Sequence, residues 1–187
     1  MFYRIVRHYW LTSLITLAIL GTTWQVCARP ISASVLDLER IERNIPVGLV
    51  MRLPTDILLS GPSDIDARNL IVRVFPSETP LSFTVSLFTC KENPYPCLVG
   101  SFSVDRSTSP SAKRELERHQ TLGDRITLAT NVTGYLIEGP LQNPSYVFST
   151  VIWQQDDMIY TISFPAIERQ NILLMAVSMA RGKPMYR

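Results

Sequence analysis

The 187-residue chain is 46% hydrophobic and 18% charged, a balance that suits a packed core and excludes a disordered polyelectrolyte. Its net charge is +2, and without Arg4 and Arg7 it holds 16 bases against 16 acids, so it lacks the electrostatic footprint of a nucleic-acid binder. No internal repeat recurs, which excludes a solenoid or propeller.

The N-terminus opens with the basic "MFYRIVRHYW", passes through the short apolar "LTSLITLAILG", and exits through the polar "TTWQVCARP". That order describes a secretory signal, with Val26 and Ala28 at −3 and −1 and cleavage between Ala28 and Arg29. An uncleaved N-terminal membrane anchor is the alternative. Against it, Thr12, Ser13, Thr16, Thr22 and Thr23 dilute a span that needs about 20 mostly apolar residues. Cleavage removes Cys27, and the two remaining cysteines of an exported chain favour a disulfide. The expected location is the periplasm or the extracellular space.

Residues 29–46 read as a short helix or tether, with Leu36, Ile41 and Ile45 apolar and Pro46 as the stop. Residues 47–187 form the expected single domain. "NLIVRVF" reads as a strand ending at Pro76, followed by the turn "PSETP". In "LSFTVSLFTC" the residues Leu81, Phe83, Val85 and Leu87 alternate with Ser82, Thr84 and Ser86, the period of a strand with one buried face. Placing Cys90 opposite Cys97 pairs Leu87 with Gly100, Val85 with Phe102 and Phe83 with Val104, so every inward residue meets another. A disulfide clamp on this hairpin explains the neighbourhood. Zinc would need more ligands than His119 and two cysteines supply, and a thioredoxin-like site wants C-x-x-C.

"STSPSAKRELERHQ" reads as a solvated surface helix with Ser109 as N-cap and only Ala112 and Leu116 as an apolar edge. His119 belongs to its charged surroundings as a solvated residue. Two short strands flank Asn131, whose Asn131-Val132-Thr133 matches a glycosylation acceptor. In the last hairpin Val147, Ser149, Val151 and Trp153 alternate before "QQDD", and Met158, Tyr160, Ile162 and Phe164 after it. Pairing Trp153 with Met158 sets Val151 against Tyr160 and Val147 against Phe164, with Phe148, Ile152 and Ile159 on the other face. Trp153, Tyr160 and Phe148 are candidates for an apolar ligand groove, with core packing as the plainer reading. "AIERQNILLMAVSMAR" reads as a helix ending at Gly182, with Leu173, Val177 and Ala180 on one stripe widened by Ile172, Met175, Ala176 and Met179. The sum is an α+β fold: a largely antiparallel sheet with the C-terminal helix packed on one face and one hairpin disulfide.

No catalytic set emerges. G-x-S-x-G and S-x-x-K are absent, Asp64 and Asp66 lack the rest of a calcium loop, and Asp156 and Asp157 suit a turn. Glu78, Glu138 and Glu168 are isolated, and nothing selects a pair of them for glycoside cleavage. No cofactor, metal or nucleic-acid partner is expected.

Leu53-Pro54, the cysteine-bracketed loop ending "CLVG", "TGY" at Thr133–Tyr135, "VIWQQDDMIYTIS" and "LLMAVSM" occur in that order. The pattern resembles exported cyanobacterial proteins of unknown function, and its Trp…Tyr hairpin plus helix is similar to the C-terminal part of DUF4367-type extracytoplasmic domains. The resemblance implies an exported single domain with no assigned catalytic residues. The charged stretch "STSPSAKRELERHQ" departs from it. The expected function is a non-catalytic envelope or periplasmic module binding a protein, peptide or small apolar ligand. The alternative is an envelope-directed hydrolase working through a carboxylate pair.

Overall fold

The computed structural model describes residues 29–32, 36–60, 69–91 and 97–187. The signal-like segment with Cys27 and Ala28, the acids Asp64 and Asp66, and Pro94 and Pro96 lie outside the described residues.

The elements in chain order are β1 (Arg29–Ser32), α1 (Leu38–Asn44), β2 (Asp56–Leu59), β3 (Ile71–Glu78), β4 (Leu81–Phe88), β5 (Leu98–Arg106), α2 (Pro110–Leu122), β6 (Asp124–Ala129), β7 (Val132–Ile137), β8 (Phe148–Gln155), β9 (Met158–Pro165) and α3 (Arg169–Arg181). β1 and β2 form a small antiparallel pair, and the other seven strands form one sheet in the order β3-β4-β5-β9-β8-β7-β6. Two meanders thus lie side by side. α2 carries the chain from the end of β5 to the far edge, and β9 returns to pair antiparallel with β5.

The pairing registers sort the side chains into two faces. On the inner face Phe83, Val85, Phe102, Val104, Val151, Trp153, Tyr160, Ile162 and Phe164 pack with Ile172, Met175, Ala176 and Met179 of α3, Ile57 of β2 and Ile41 of α1. On the outer face Ala112 and Leu116 of α2 cover Ile152 and Ile159, with Tyr135 beside them. The expected α+β fold, with its antiparallel sheet, packed C-terminal helix and disulfide, is present, and a second helix lies on the opposite face.

α2 is not a solvated helix. Ser109 caps it, accepting from the backbone N–H of Ala112, as read from the sequence. Ala112, Leu116 and His119 then occupy one stripe at i, i+4 and i+7, and all three are buried. The segment before residue 47 is likewise built in: Leu36, Ile41 and Ile45 belong to the core, and Asp37 caps α1.

The disulfide hairpin of β4 and β5 keeps the expected register, with Phe83 opposite Val104, Val85 opposite Phe102 and Leu87 opposite Gly100. A bulge between Leu87 and Phe88 then shifts the partner of Phe88 to Leu98. Beyond the bulge, the backbone N–H of Thr89 donates to the Cys97 carbonyl at 3.0 Å. Cys97 therefore faces Thr89 across the strands, and the Cys90–Cys97 bond runs diagonally over a Cα–Cα distance of 5.7 Å.

The last hairpin differs from expectation by two residues: Trp153 pairs with Tyr160, Val151 with Ile162 and Ser149 with Phe164. The cause is the turn. Asp156 (φ 50°) and Asp157 (φ 60°) both take left-handed conformations, which close a two-residue hairpin where a four-residue loop was expected. A slip of two preserves the faces, but Val147 falls outside β8 and is exposed. β3 also runs through Pro76 to Glu78, tolerated because β3 is an edge strand. In α3 the buried stripe is Ile172, Met175, Ala176, Met179 and Ala180, while Leu173 and Val177 are only half-buried.

Candidate functional site

β3 ends the sheet, and among the described residues no strand pairs with its outer edge. Its inward residues Val72 and Val74, opposite Leu87 and Val85, are only partly covered. α1 lies beside them, held by Ile41 and Ile45, which are 1% and 0% exposed. Between helix and strand runs a cleft of about 300 Å³ lined by Asp37, Arg40, Ile41, Leu70, Val72 and Val74. Its floor is aliphatic. Its rim carries one acid and one base, and the Asp37 carboxylate is already engaged by the Arg40 backbone N–H at 2.9 Å. Such a cleft offers apolar burial flanked by a row of strand N–H and C=O groups. In the sequence Leu70, Val72 and Val74 read as part of a strand and Ile41 as part of a short helix, and none of them as a site. Their signal was the alternation of Leu70, Val72 and Val74 ending at Pro76, the mark of an edge strand.

The groove expected from Trp153, Tyr160 and Phe148 does not form. Trp153 and Tyr160 are both 0% exposed, stacked with ring centroids 5.4 Å apart inside the core. Phe148 lies an odd number of positions from Trp153 along β8 and so points to the opposite face of the sheet. The polar ends of the stacked pair are tied inward. The Tyr160 hydroxyl donates to the Val50 carbonyl at 2.8 Å, and the Trp153 indole N–H to Gln155 Oε1 at 3.3 Å. Burial pushes the Tyr160 phenol up from its ordinary value, while Arg52 acts the other way.

Arg52 organises this end of the core. Its guanidinium donates to the Gly182 carbonyl and meets Asp156 Oδ2 at 2.7 Å, joining the 49–55 segment to the end of α3 and the β8–β9 turn. Gln155 adds a bond from Nε2 to the Ala180 carbonyl at 3.1 Å.

The three isolated glutamates stay apart in role. Glu138 pairs with Arg169 at 2.6 Å. Glu168 is buried, its two oxygens accepting from the Ser60 backbone N–H at 2.9 and 2.8 Å and one of them from Asn171 Nδ2 at 2.6 Å. Glu78 is exposed at the end of β3. Glu168 serves as an anchor between β2 and α3. Among the described residues no group of three or more His, Cys, Asp or Glu gathers to hold a metal, and no helix is long and apolar enough to cross a membrane.

His119, expected in solvent, is 1% exposed on the buried side of α2. Burial lowers its pKa from the ordinary 6.5, with the Glu115 carbonyl and carboxylate acting in the opposite sense. Asp105, on the same outer face, has its carboxyl pKa raised by burial.

The chain matches no family model, no curated protein and no solved structure.

Proposed function

We propose that the chain is an exported, non-catalytic envelope module that binds an extended apolar peptide segment in the cleft between α1 and β3. The observation that carries this reading is the meeting of two features at one place: an aliphatic cleft and an unpaired strand edge beside it. An extended peptide satisfies both, adding backbone hydrogen bonds along β3 and burying alternate side chains against Leu70, Val72 and Val74. Pro76 has no N–H, so the usable edge runs from Ile71 to Phe75. Export is supported by the signal-like N-terminus and by the Cys90–Cys97 disulfide, a bond suited to an oxidising compartment. The resemblance to exported cyanobacterial proteins agrees with that location. No observation favours the hydrolase alternative, since Glu138 and Glu168 are each bound to another partner.

The test is a screen of short extended peptides against the disulfide-bonded protein, read by amide hydrogen exchange. Binding should slow exchange at Ile71–Phe75, and Val74→Asp should abolish it while leaving the sheet folded. Peptides that bind without touching β3 amides, or a screen with no apolar binder at all, would sink the reading.

A further inference from the structure

α2 rests on β6, β7, β8 and β9, with Ala112 and Leu116 packed on Ile152 and Ile159 and His119 buried further along the same stripe. His119 Nδ1 lies 3.0 Å from the carbonyl oxygen of Glu115. A carbonyl can only accept, so Nδ1 carries the proton and donates. Nε2 is then a buried lone pair, and it has no hydrogen-bond partner among the described residues. A second proton would have to be placed there, as a buried cation with no acceptor for its new N–H among the described residues.

The surroundings offer little relief. On α2 itself, Glu115 Oε1 lies 3.3 Å from Nδ1, but that side chain is about half exposed and shared with Arg118 at 2.9 Å. β8 and β9 present Ile152 and Ile159, and β7 presents Tyr135. Arg125 of β6 pairs with Tyr135 and shares that face. Tyr146 interacts with Arg118, and Asp105 of β5 pairs with Ile159 on the same face. None of these groups is hydrogen-bonded to Nε2.

We propose that His119 makes α2 a pH-operated cover: a proton taken up at Nε2 lifts the helix from β7–β9 and uncovers Ile152 and Ile159. The closed state binds fewer protons at His119 than the opened state, so closure is at full strength above pH 6.5 and weakens as the pH falls below it. Asp105 has the opposite sign, because a carboxyl with a raised pKa favours the folded state in acid.

The experiment is hydrogen exchange with mass spectrometry on the full disulfide-bonded chain, above and below pH 6.5, corrected for intrinsic exchange. The opening equilibrium of the 110–122 amides should rise by up to about tenfold per pH unit, while β4 and β5 keep their protection. His119→Leu and His119→Gln should each remove that dependence, and Asp105→Asn should keep it. If one His119 variant fails to fold, the other decides. α2 protection that is independent of pH, or a pH dependence that survives in the folded His119 variant, would overturn the proposal.

Discussion

Phe164 of β9 lies against Gly100 of β5 so closely that a Cβ at Gly100 would stand 2.3 Å from ring carbons Cδ1 and Cε1. The glycine is a seat for the ring. Phe102 packs on the same ring with centroids 5.4 Å apart, and Phe164 is fully buried, so the ring can yield only by displacing core neighbours. Gly100→Ala should therefore cost about 3 kcal/mol, at the upper end for overpacking, measured by urea unfolding. Adding Phe164→Leu should recover part of the loss, because the two substitutions share one contact. Strict additivity would mean that the clash is not the cause.

The Cys90–Cys97 bond closes a loop with a sequence separation of 7. For a loop this short the chain-entropy model gives about 2.5 kcal/mol. Reduction, or the double change Cys90→Ala with Cys97→Ala, should lower stability by that amount without unfolding the domain. Alkylation followed by intact mass should find both thiols blocked until reductant is added. Free thiols in the unreduced protein would remove the clamp and return the redox and metal readings of the two cysteines.

How far each hairpin was legible depended on what fixed its register. In β4 and β5 the alternation fixes only the face, and the two cysteines, set opposite each other, chose among registers two apart. The pairing of Phe83, Val85 and Leu87 with Val104, Phe102 and Gly100 holds, and the bulge after Leu87 shifts only the cysteine end. In β8 and β9 both faces are apolar, so alternation constrains the face and leaves a slip of two open. The positive φ angles of Asp156 and Asp157 decide that slip. His119 was misplaced for a different reason. Its neighbours in sequence are charged, whereas its neighbours at helical spacing, Ala112 and Leu116, are apolar, and the helical spacing governs burial. The cleft at β3 is a product of long-range packing: α1 and β3 are distant in sequence, and nothing local joins Arg40 to Val74.

Arg52 and Asp156 form an ion pair that is buried at one end and open at the other, with side-chain exposures of 10% and 58%. Asp156→Asn keeps a residue that tolerates the left-handed turn and removes only the charge, so its cost should be about 1 kcal/mol, as expected for a solvent-screened pair. Arg52→Ala also releases the Gly182 carbonyl and leaves a void, and should cost about 2–3 kcal/mol. Denaturant midpoints compare the two. Equal losses would show that the ion pair, and not the anchoring of α3, is what Arg52 contributes.

Asp105 is half-buried on the outer face, opposite Ser82 and Ile159, and among the described residues its carboxylate has no ion-pair or hydrogen-bond partner. Desolvation raises its pKa above the ordinary 3.8, so the folded state holds the proton more firmly than the unfolded chain. The stabilising contribution is present in acid and is lost as the pH rises through the folded-state pKa. Asp105→Asn replaces the strained anion with a neutral group of nearly the same shape. It should raise the urea midpoint at neutral pH and leave it almost unchanged below pH 3.8. A variant that is less stable at neutral pH would mean that the charged carboxylate is held by a partner in solution, and that burial is not the dominant influence on it.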